Sequence, residues 1–238
     1  MIQFSRATLS SCRDASGVVV VIDVLRAFTS AAYAFASGAH DITLVSTVEE
    51  ALDLRARIPG ALAMGEVGGL PIPGFDFGNS PAEFVAQDLA GKRLIQRTTT
   101  GTQGVVRCSH AEALLASSFV CARSTAAYIH SLAPQSVAFV IAGAAPDQRF
   151  SGQPIHQGDE DLANADYLEA LLSGEDPDPQ PFLRRILSAP SARKFLDPGQ
   201  PAFSAQDLQY CTAINRFNFA MVVHWQAGLP VMQPVRVT

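Results

Sequence analysis

The sequence is short of charge, and above all of lysine. Charged residues make up 16% of its 238 positions, and only Lys92 and Lys194 among its 17 basic residues are lysines. The formal net charge is -5, which disfavours general nucleic-acid binding because phosphate backbones are held mainly by clustered Lys and Arg. Disorder is disfavoured too, since it requires weak hydrophobicity, whereas 48% of these residues are hydrophobic.

Signals for membranes, secretion and disulfides are also missing. Residues 1–17 are polar and mixed, unlike a secretory signal, and apolar runs such as Val18–Ile22 fall far short of the ~20 residues that span a bilayer. The four cysteines form no C-x-x-C pair, which disfavours structural zinc or a disulfide framework. We therefore predict a soluble, reduced, cytoplasmic protein that binds neither membrane nor nucleic acid, with an apolar content compatible with a homodimer.

Alternating apolar and amphipathic segments predict an α/β fold around a largely parallel or mixed sheet. Strands are expected over residues 18–24, 42–46, 61–64, 93–96, 113–115, 119–122 and 137–142. Helices are expected over residues 26–37, 47–57, 80–89, 102–108, 124–132 and 159–172. Residues 175–215 are predicted to be a helical segment, followed by late edge strands over 219–237. We expect a single domain, 1–238.

The segment 65–80 interrupts this alternation. It contains five glycines and two prolines, and loops of this length inside compact domains are uncommon and tend to be functional. Ser80 and Glu83 match a helix capping box with Pro81 at the first helical position, which predicts that the loop ends in a helix.

Acidic residues follow several of the predicted strands. Ligand groups in α/β proteins gather at the carboxyl ends of parallel strands, where Asp23 and Glu66 are expected, and divalent cations prefer hard oxygen ligands of this kind. Structural roles are the alternative: an Asp23–Arg26 salt bridge, or hydrogen bonding in a turn for Asp76. Glu160 and Asp161 open a predicted helix, where the helix dipole alone favours acidic residues.

The turn Thr98–Thr102 combines four hydroxyls with Gly101 between a strand and a helix. Backbone N–H groups at such a junction bind anions readily, and Arg97 precedes the turn. Simple helix capping is the alternative. No lysine follows Gly101, so the turn is not a nucleotide P-loop.

Other catalytic signatures are absent. The chain has no G-x-S-x-G elbow, no Cys six positions before an Arg, no second carboxylate in a D-x-D motif at Asp23, and no G-x-G-x-x-G. Several carboxylates, an anion-binding turn and arginine remain. This combination suits magnesium-assisted chemistry on a small phosphorylated acid.

Four segments resemble a known family. They are Asp-Val-Leu-Arg-Ala-Phe-Thr at 23–29, Gly-Glu at 65–66, Gly-Phe-Asp-Phe-Gly-Asn-Ser-Pro at 74–81, and Thr-Thr-Thr-Gly-Thr at 98–102. Over residues 18–172 the chain resembles the 2-phosphosulfolactate phosphatases, also called the ComB-like family, and Glu160-Asp161 fits the same pattern. The resemblance implies a three-layer α/β/α fold and Mg²⁺-dependent hydrolysis of 2-phospho-3-sulfolactate to sulfolactate and phosphate.

On this resemblance we expect the following roles. Metal ligands would be Asp23, Glu66 and Asp161, with Asp76 and Glu160 as second choices. Catalytic residues would be Asp23, Arg26, Glu66 and Asp161. The phosphate and sulfonate oxygens would be bound by Arg26, Arg97, Thr98, Thr99, Thr100, Gly101, Thr102 and Asn79.

Two positions depart from the family pattern. Thr100 and Cys121 stand where family members usually or often have Asn. Two alternatives therefore stay open: a non-catalytic protein that kept the anion-binding turn, and a phosphoryl transferase that uses the same site.

Overall fold

A computed structural model describes residues 1–237 as ten strands and seven α-helices with short 3₁₀ turns. The strands are β1 (Gln3–Ala7), β2 (Val18–Ile22), β3 (Asp41–Leu44), β4 (Leu62–Val67), β5 (Leu70–Pro71), β6 (Arg93–Arg97), β7 (Ala113–Ser117), β8 (Ser136–Ile141), β9 (Phe219–Gln226) and β10 (Leu229–Arg236). The α-helices are α1 (Ala27–Ala36), α2 (Val48–Arg57), α3 (Gly101–Arg107), α4 (Ala122–Ser131), α5 (Asp159–Leu172), α6 (Gln180–Ser188) and α7 (Ala205–Cys211). No helix within residues 1–237 is both long and apolar enough to cross a membrane.

The sheet is mixed and is covered on both faces. Its strand order is β1-β8-β2-β7-β9-β10-β3-β6-β4-β5, and β2 runs parallel to both β7 and β8. All five β2 residues are buried; Val19 and Val21 pack in one core with α1 and α3, whereas Val18, Val20 and Ile22 pack in another with α4 and α5. A continuous apolar strand is typical of a sheet with helices on both faces. The predicted three-layer α/β/α fold is confirmed.

The late strands lie in the middle of the sheet, so their predicted edge position is wrong. β9 and β10 form an antiparallel hairpin; β9 pairs with β7, and β10 pairs with β3. The strands at the two edges are β1, which was not predicted, and β5. Residues 219–223 of β9 are all buried. An apolar run in the sequence predicts that a strand is buried, but it does not indicate which strands will lie beside it.

Two predicted elements are replaced by 3₁₀ turns. Residues 80–89 contain only the turn Pro81–Glu83, because the groups of the expected capping box bond elsewhere. The Ser80 hydroxyl donates to Asp207 (2.6 Å), and Glu83 accepts the N–H of Gly78 (2.7 Å). The predicted strand over 119–122 is likewise a 3₁₀ turn, Phe119–Cys121, that leads into α4.

The sheet curls around α1. The carboxyl ends of β2 and β6 are five strands apart in the sheet order, about 24 Å if the sheet were flat. Nevertheless, the Thr100 hydroxyl that follows β6 donates to Asp23 after β2 at 2.7 Å. Nine of the ten α1 residues are buried, as expected for an Ala-rich helix enclosed by the concave face.

Gly65 allows β4 and β6 to approach each other beside the functional residues. It has a φ of 142°, and a Cβ built at this position would lie 1.8 Å from the carbonyl oxygen of Arg97. The Gly65 N–H also points to the carbonyl of Gly78 (3.1 Å). A side chain at residue 65 would therefore force apart β4, which carries Glu66, and β6, which Thr99 follows.

We predict that Gly65→Ala lowers the free energy of unfolding by at least about 3 kcal/mol, since the added Cβ combines backbone strain with steric overlap. Gly60→Ala is the matched control, because residue 60 also has a positive φ but has open space around its Cβ position; a loss of about 1–2 kcal/mol is expected there. Urea unfolding measures both values. Equal losses in the two variants would contradict the role assigned to the close approach.

Candidate active site

A cavity of about 240 Å³ opens where the strand ends meet. Asp23 follows β2, Glu66 lies near the end of β4, and Thr99 follows β6, so the cavity lies at the carboxyl ends of parallel strands, as α/β sheets favour. One wall comes from the segment between α6 and α7. The lining residues are Asp23, Leu25, Arg26, Glu66, Gly68, Gly69, Asn79, Thr99, Thr100, Ser191, Lys194, Phe195 and Phe203.

Asp23 is oriented by the first turn of α1 and by the threonine turn. Its carboxylate accepts hydrogen bonds from the Ala27 N–H (3.0 Å) and from the Thr100 hydroxyl (2.7 Å). The residue is 4% exposed. Burial raises the pKa of Asp23, and the negative charge of Glu66 raises it further. The Asp23–Arg26 salt bridge, the structural alternative for Asp23, is not formed, because Arg26 pairs with Asp207 instead.

Glu66 is held by the threonine turn and by its own loop. One carboxylate oxygen accepts the N–H of Thr99 (2.6 Å), and the other accepts the Thr99 hydroxyl (2.9 Å) and the Gly69 N–H (2.5 Å). Both oxygens of this buried side chain are therefore already hydrogen-bonded, which fixes its orientation at the cavity wall.

Asp161 and Glu160 lie in the first turn of α5, and their carboxylates have different surroundings. Asp161 accepts the main-chain N–H groups of Val24 and Gly143, both at 2.8 Å, so it joins α5 to the ends of β2 and β8. Glu160 is 5% exposed, and its Oε2 has no hydrogen-bond partner. A buried carboxylate oxygen without a partner is costly, which marks Glu160 as a place for a cation or a proton.

The acidic cluster is electrostatically strained. Burial raises the pKa of Glu160, and the charges of Asp23 and Asp159 add to that effect, while the nearby Ser191 hydroxyl opposes it in part. The pKa of Asp161 is raised well above its usual range by burial and then by Glu160 and Asp23. Within residues 1–237, however, no three acidic, His or Cys side chains gather at one point as a complete metal site.

The threonine turn divides into two parts. Thr98 and Thr102 bond to each other through their hydroxyls and N–H groups (2.9 and 3.0 Å), and both are fully buried. Thr99 and Thr100 instead line the cavity and donate their hydroxyls to Glu66 and Asp23. At Gly101 a Cβ would lie 2.9 Å from the Asp23 carboxylate.

Several predicted site residues lie outside the cavity lining: Thr98, Gly101, Thr102, Glu160, Asp161, Arg97 and Asp76. Arg97 donates to the main-chain carbonyls of Ser46 (3.3 Å) and Glu66 (2.9 Å). The Asp76 carboxylate bonds to the Arg55 guanidinium (2.7 Å) and to a main-chain N–H in β4. Both side chains thus hold the 65–80 segment to the neighbouring strands and helix. Asn79, by contrast, lines the cavity, and its buried Oδ1 has no hydrogen-bond partner.

Arg26 lines the cavity, but its charge is already paired. Its guanidinium contacts Asp207 (2.8 Å), the carbonyl of Gly69 (3.2 Å) and the carbonyl of Ala202 (3.1 Å). Its carbon Cζ also lies 4.9–5.2 Å from the ring centroids of Phe203 and Phe195. Arg26 therefore anchors the segment between α6 and α7 to the sheet.

Sequence reasoning missed the cationic residue of the opposite wall. Exposed Lys194 lines the cavity, and its Nζ lies 5.0 Å from the ring centroid of Phe203. Ser191 lies in the same 3₁₀ segment, Pro190–Leu196, and its hydroxyl is buried without a partner. The one available signal was the scarcity of lysine, since Lys194 is one of only two in the chain.

Comparisons with known proteins agree on one family. A sequence model of the family described as 2-phosphosulpholactate phosphatase matches residues 5–226. A Bacillus subtilis protein named "Probable 2-phosphosulfolactate phosphatase" is 34% identical over 217 residues, which cover 91% of this chain and 91% of that protein. A protein of the same name from Carboxydothermus hydrogenoformans is 35% identical over 231 residues, covering 92% of this chain and 91% of the relative.

The strained carboxylates predict how stability depends on pH when divalent cations are removed by a chelator. Because the pKa of Glu160 is raised on folding, the native state binds its proton more tightly than the unfolded chain does. The free energy of unfolding should therefore fall as pH rises above the ordinary range of a glutamate pKa. Glu160→Gln should reduce this fall and be more stable than the wild type above that range by about 1–3 kcal/mol.

Urea unfolding at a series of pH values measures this effect. Exposed Glu49 offers a matched control, and Glu49→Gln should retain the wild-type slope. Parallel profiles for the wild type and Glu160→Gln would show that Glu160 is not a source of the strain.

Proposed function

The chain belongs to the 2-phosphosulfolactate phosphatase family, and we propose that it is a magnesium-dependent phosphatase that hydrolyses 2-phosphosulfolactate, or a closely similar phosphorylated hydroxy acid, to the free acid and phosphate. One observation carries the proposal: a single cavity has buried carboxylates at the strand ends and the cation Lys194 on the facing segment. Its volume, about 240 Å³, lies just below the usual range for small-molecule pockets and suits a compact substrate.

The chemistry of the donor set supports Mg²⁺. This ion usually keeps several waters and is bound by only one or two carboxylates together with substrate phosphate oxygens, so it does not require a cluster of three acidic side chains. Asp23 and Glu160 are the ligands we propose. Asp23 lines the cavity; Glu160 lies outside the lining, but the two negative charges repel each other and Glu160 Oε2 has no hydrogen-bond partner. Glu66 and Asp161 are directed by main-chain N–H groups and would support the site electrostatically.

When bound, the ion would offset the carboxylate charge and polarise a phosphoryl oxygen of the substrate. The chain itself would orient the substrate. Lys194 supplies a positive charge for a sulfonate or carboxylate, and Asn79 adds a polar side chain to the same cavity lining. A cytoplasmic location and a homodimer stay predictions.

Asp23→Asn tests the carboxylate. The asparagine can still accept from the Ala27 N–H and donate to the Thr100 hydroxyl, so the fold should be retained while the charge is lost. We expect kcat for phosphate release from 2-phosphosulfolactate to fall about 100-fold or more. Asp53→Asn, which changes an exposed aspartate that pairs only with Arg57, is the control and should keep wild-type turnover.

The assay also separates the alternative functions. Each variant is measured with Mg²⁺ and with a chelator. Phosphate released only with Mg²⁺ supports the proposal, binding without release indicates a non-catalytic protein, and phosphate found on an acceptor indicates a transferase. Near-normal turnover by Asp23→Asn would remove this carboxylate from the mechanism.

Lys194→Ala tests the anionic end of the substrate. If Lys194 binds a group remote from phosphorus, its loss should raise KM about tenfold and leave kcat nearly unchanged, since the binding it provides is equal in ground and transition states. Lys92→Ala, at the only other lysine and on the exposed surface, should behave as the wild type. Steady-state kinetics distinguish the two; an unchanged KM in Lys194→Ala would contradict this role.

A further inference from the structure

A second cavity, of about 350 Å³, lies beside α3 and outside the candidate active site. Its polar lining consists of Arg13, Ser46, Gln103, Arg107, Ser109 and His110, and no aspartate or glutamate is among the lining residues. Guanidinium, amide, hydroxyl and imidazole groups all can donate hydrogen bonds. The cavity is therefore rich in donors and in positive charge, in a chain whose net charge is negative.

The two arginines of this cavity, like half-buried Arg97, are not neutralised by a carboxylate that the structure describes. Arg6, Arg26 and Arg185 each form ion pairs with carboxylates. Within residues 1–237 neither Arg13 nor Arg107 forms one.

Arg107 is nevertheless fixed in place. One of its nitrogens donates to the carbonyl of Leu9 (2.9 Å), which leaves the other N–H groups of its guanidinium for a ligand. The Glu50 carboxylate hydrogen-bonds to one lining residue, Ser46. It accepts the N–H groups of Ser46 and Thr47 (both 3.0 Å) as part of the capping box of α2, so its hydrogen bonds serve the helix cap.

The charges of the two arginines also act on a neighbouring thiol. Cys12 precedes Arg13 and is fully buried. Its pKa is lowered to about 7, first by a hydrogen bond from Cys108 and then by the charges of Arg107 and Arg13, against the opposing effect of burial.

We propose that this second cavity binds a small phosphate-class anion. Arginine forks match phosphate oxygens bidentately, and the volume lies within the range of pockets that take small metabolites, so a phosphorylated small molecule fits as well as free phosphate. Gln103 links this cavity to the threonine turn, because its amide donates to the carbonyls of Ser46 (3.0 Å) and Thr98 (3.3 Å).

Site-resolved binding tests the proposal, with inorganic phosphate as the probe. Two-dimensional amide NMR of the full chain separates the two sites: signals from residues 106–110 report the second cavity, and signals from residues 99–101 report the active site. We expect phosphate to shift the signals of residues 106–110 saturably, sulfate to do the same, and chloride at equal ionic strength to leave them in place. Glycerol phosphate then distinguishes an ester from free phosphate by which binds more tightly.

Two variants assign the binding to the arginines. Arg13→Gln and Arg107→Gln should each weaken phosphate binding at residues 106–110 about tenfold, as expected for the loss of a charge-assisted hydrogen bond. The response of residues 99–101 should be unchanged. Arg57→Gln removes an exposed arginine elsewhere and should have no effect.

Arg13→Gln is the more reliable variant, because Arg13 is exposed and its side chain makes no hydrogen bond to the rest of residues 1–237. Arg107→Gln loses the hydrogen bond to the Leu9 carbonyl, so its stability must be checked by thermal unfolding. A saturable shift that Arg13→Gln weakens and Arg57→Gln does not supports the site. An unsaturable shift, an equal response to chloride, or equal weakening by all three variants would overturn it. Failure of the active-site function would appear separately, at residues 99–101.

Discussion

The curl of the sheet around α1 is the constraint on which the functional site depends. A flat sheet would hold the ends of β2 and β6 far apart, yet Asp23 and Thr100 are joined by a hydrogen bond of 2.7 Å. The curl is possible because α1 is built largely from alanine and can be enclosed on all sides. Gly101 has the same role locally, since any side chain there would contact Ala27 and Asp23. Small residues thus bring distant strands to one cavity.

Negative charge is concentrated in and beside this cavity, which Asp23 and Glu66 line, and main-chain N–H groups compensate only part of it. Asp23, Glu66 and Asp161 each accept main-chain N–H groups, which favour the ionised form in a buried place. Glu160 has no such donor for Oε2. Burying this unpartnered oxygen costs free energy that a bound cation would offset. Glu160 was expected only as a second choice for a metal ligand.

Local patterns predicted the elements better than they predicted the partners. The alternation of strands and helices was confirmed, and the helix α5 has the predicted bounds, because apolar periodicity and an acidic first turn are local properties. The central position of the β9–β10 hairpin and the Asp207 partner of Arg26 depend on contacts between residues far apart in the chain, 181 positions in the second case. Ser80 shows the consequence: its sequence fits a helix cap, but its hydroxyl bonds to the same distant Asp207.

This distant partner also changes what Arg26 does. A fully buried ion pair adds little net stability over apolar packing, but removing either member leaves the other charge buried and unpaired. Arg26 and Asp207 therefore fix the position of the segment between α6 and α7 more than they stabilise the fold, and the adjacent rings of Phe195 and Phe203 that contact the guanidinium restrict it further. Lys194 lies on that segment, whereas the carboxylates lie on the sheet. The group that would recognise the substrate anion is thus positioned separately from the groups that would act on phosphorus, and substrate choice can change in the segment while the strand ends keep the reaction.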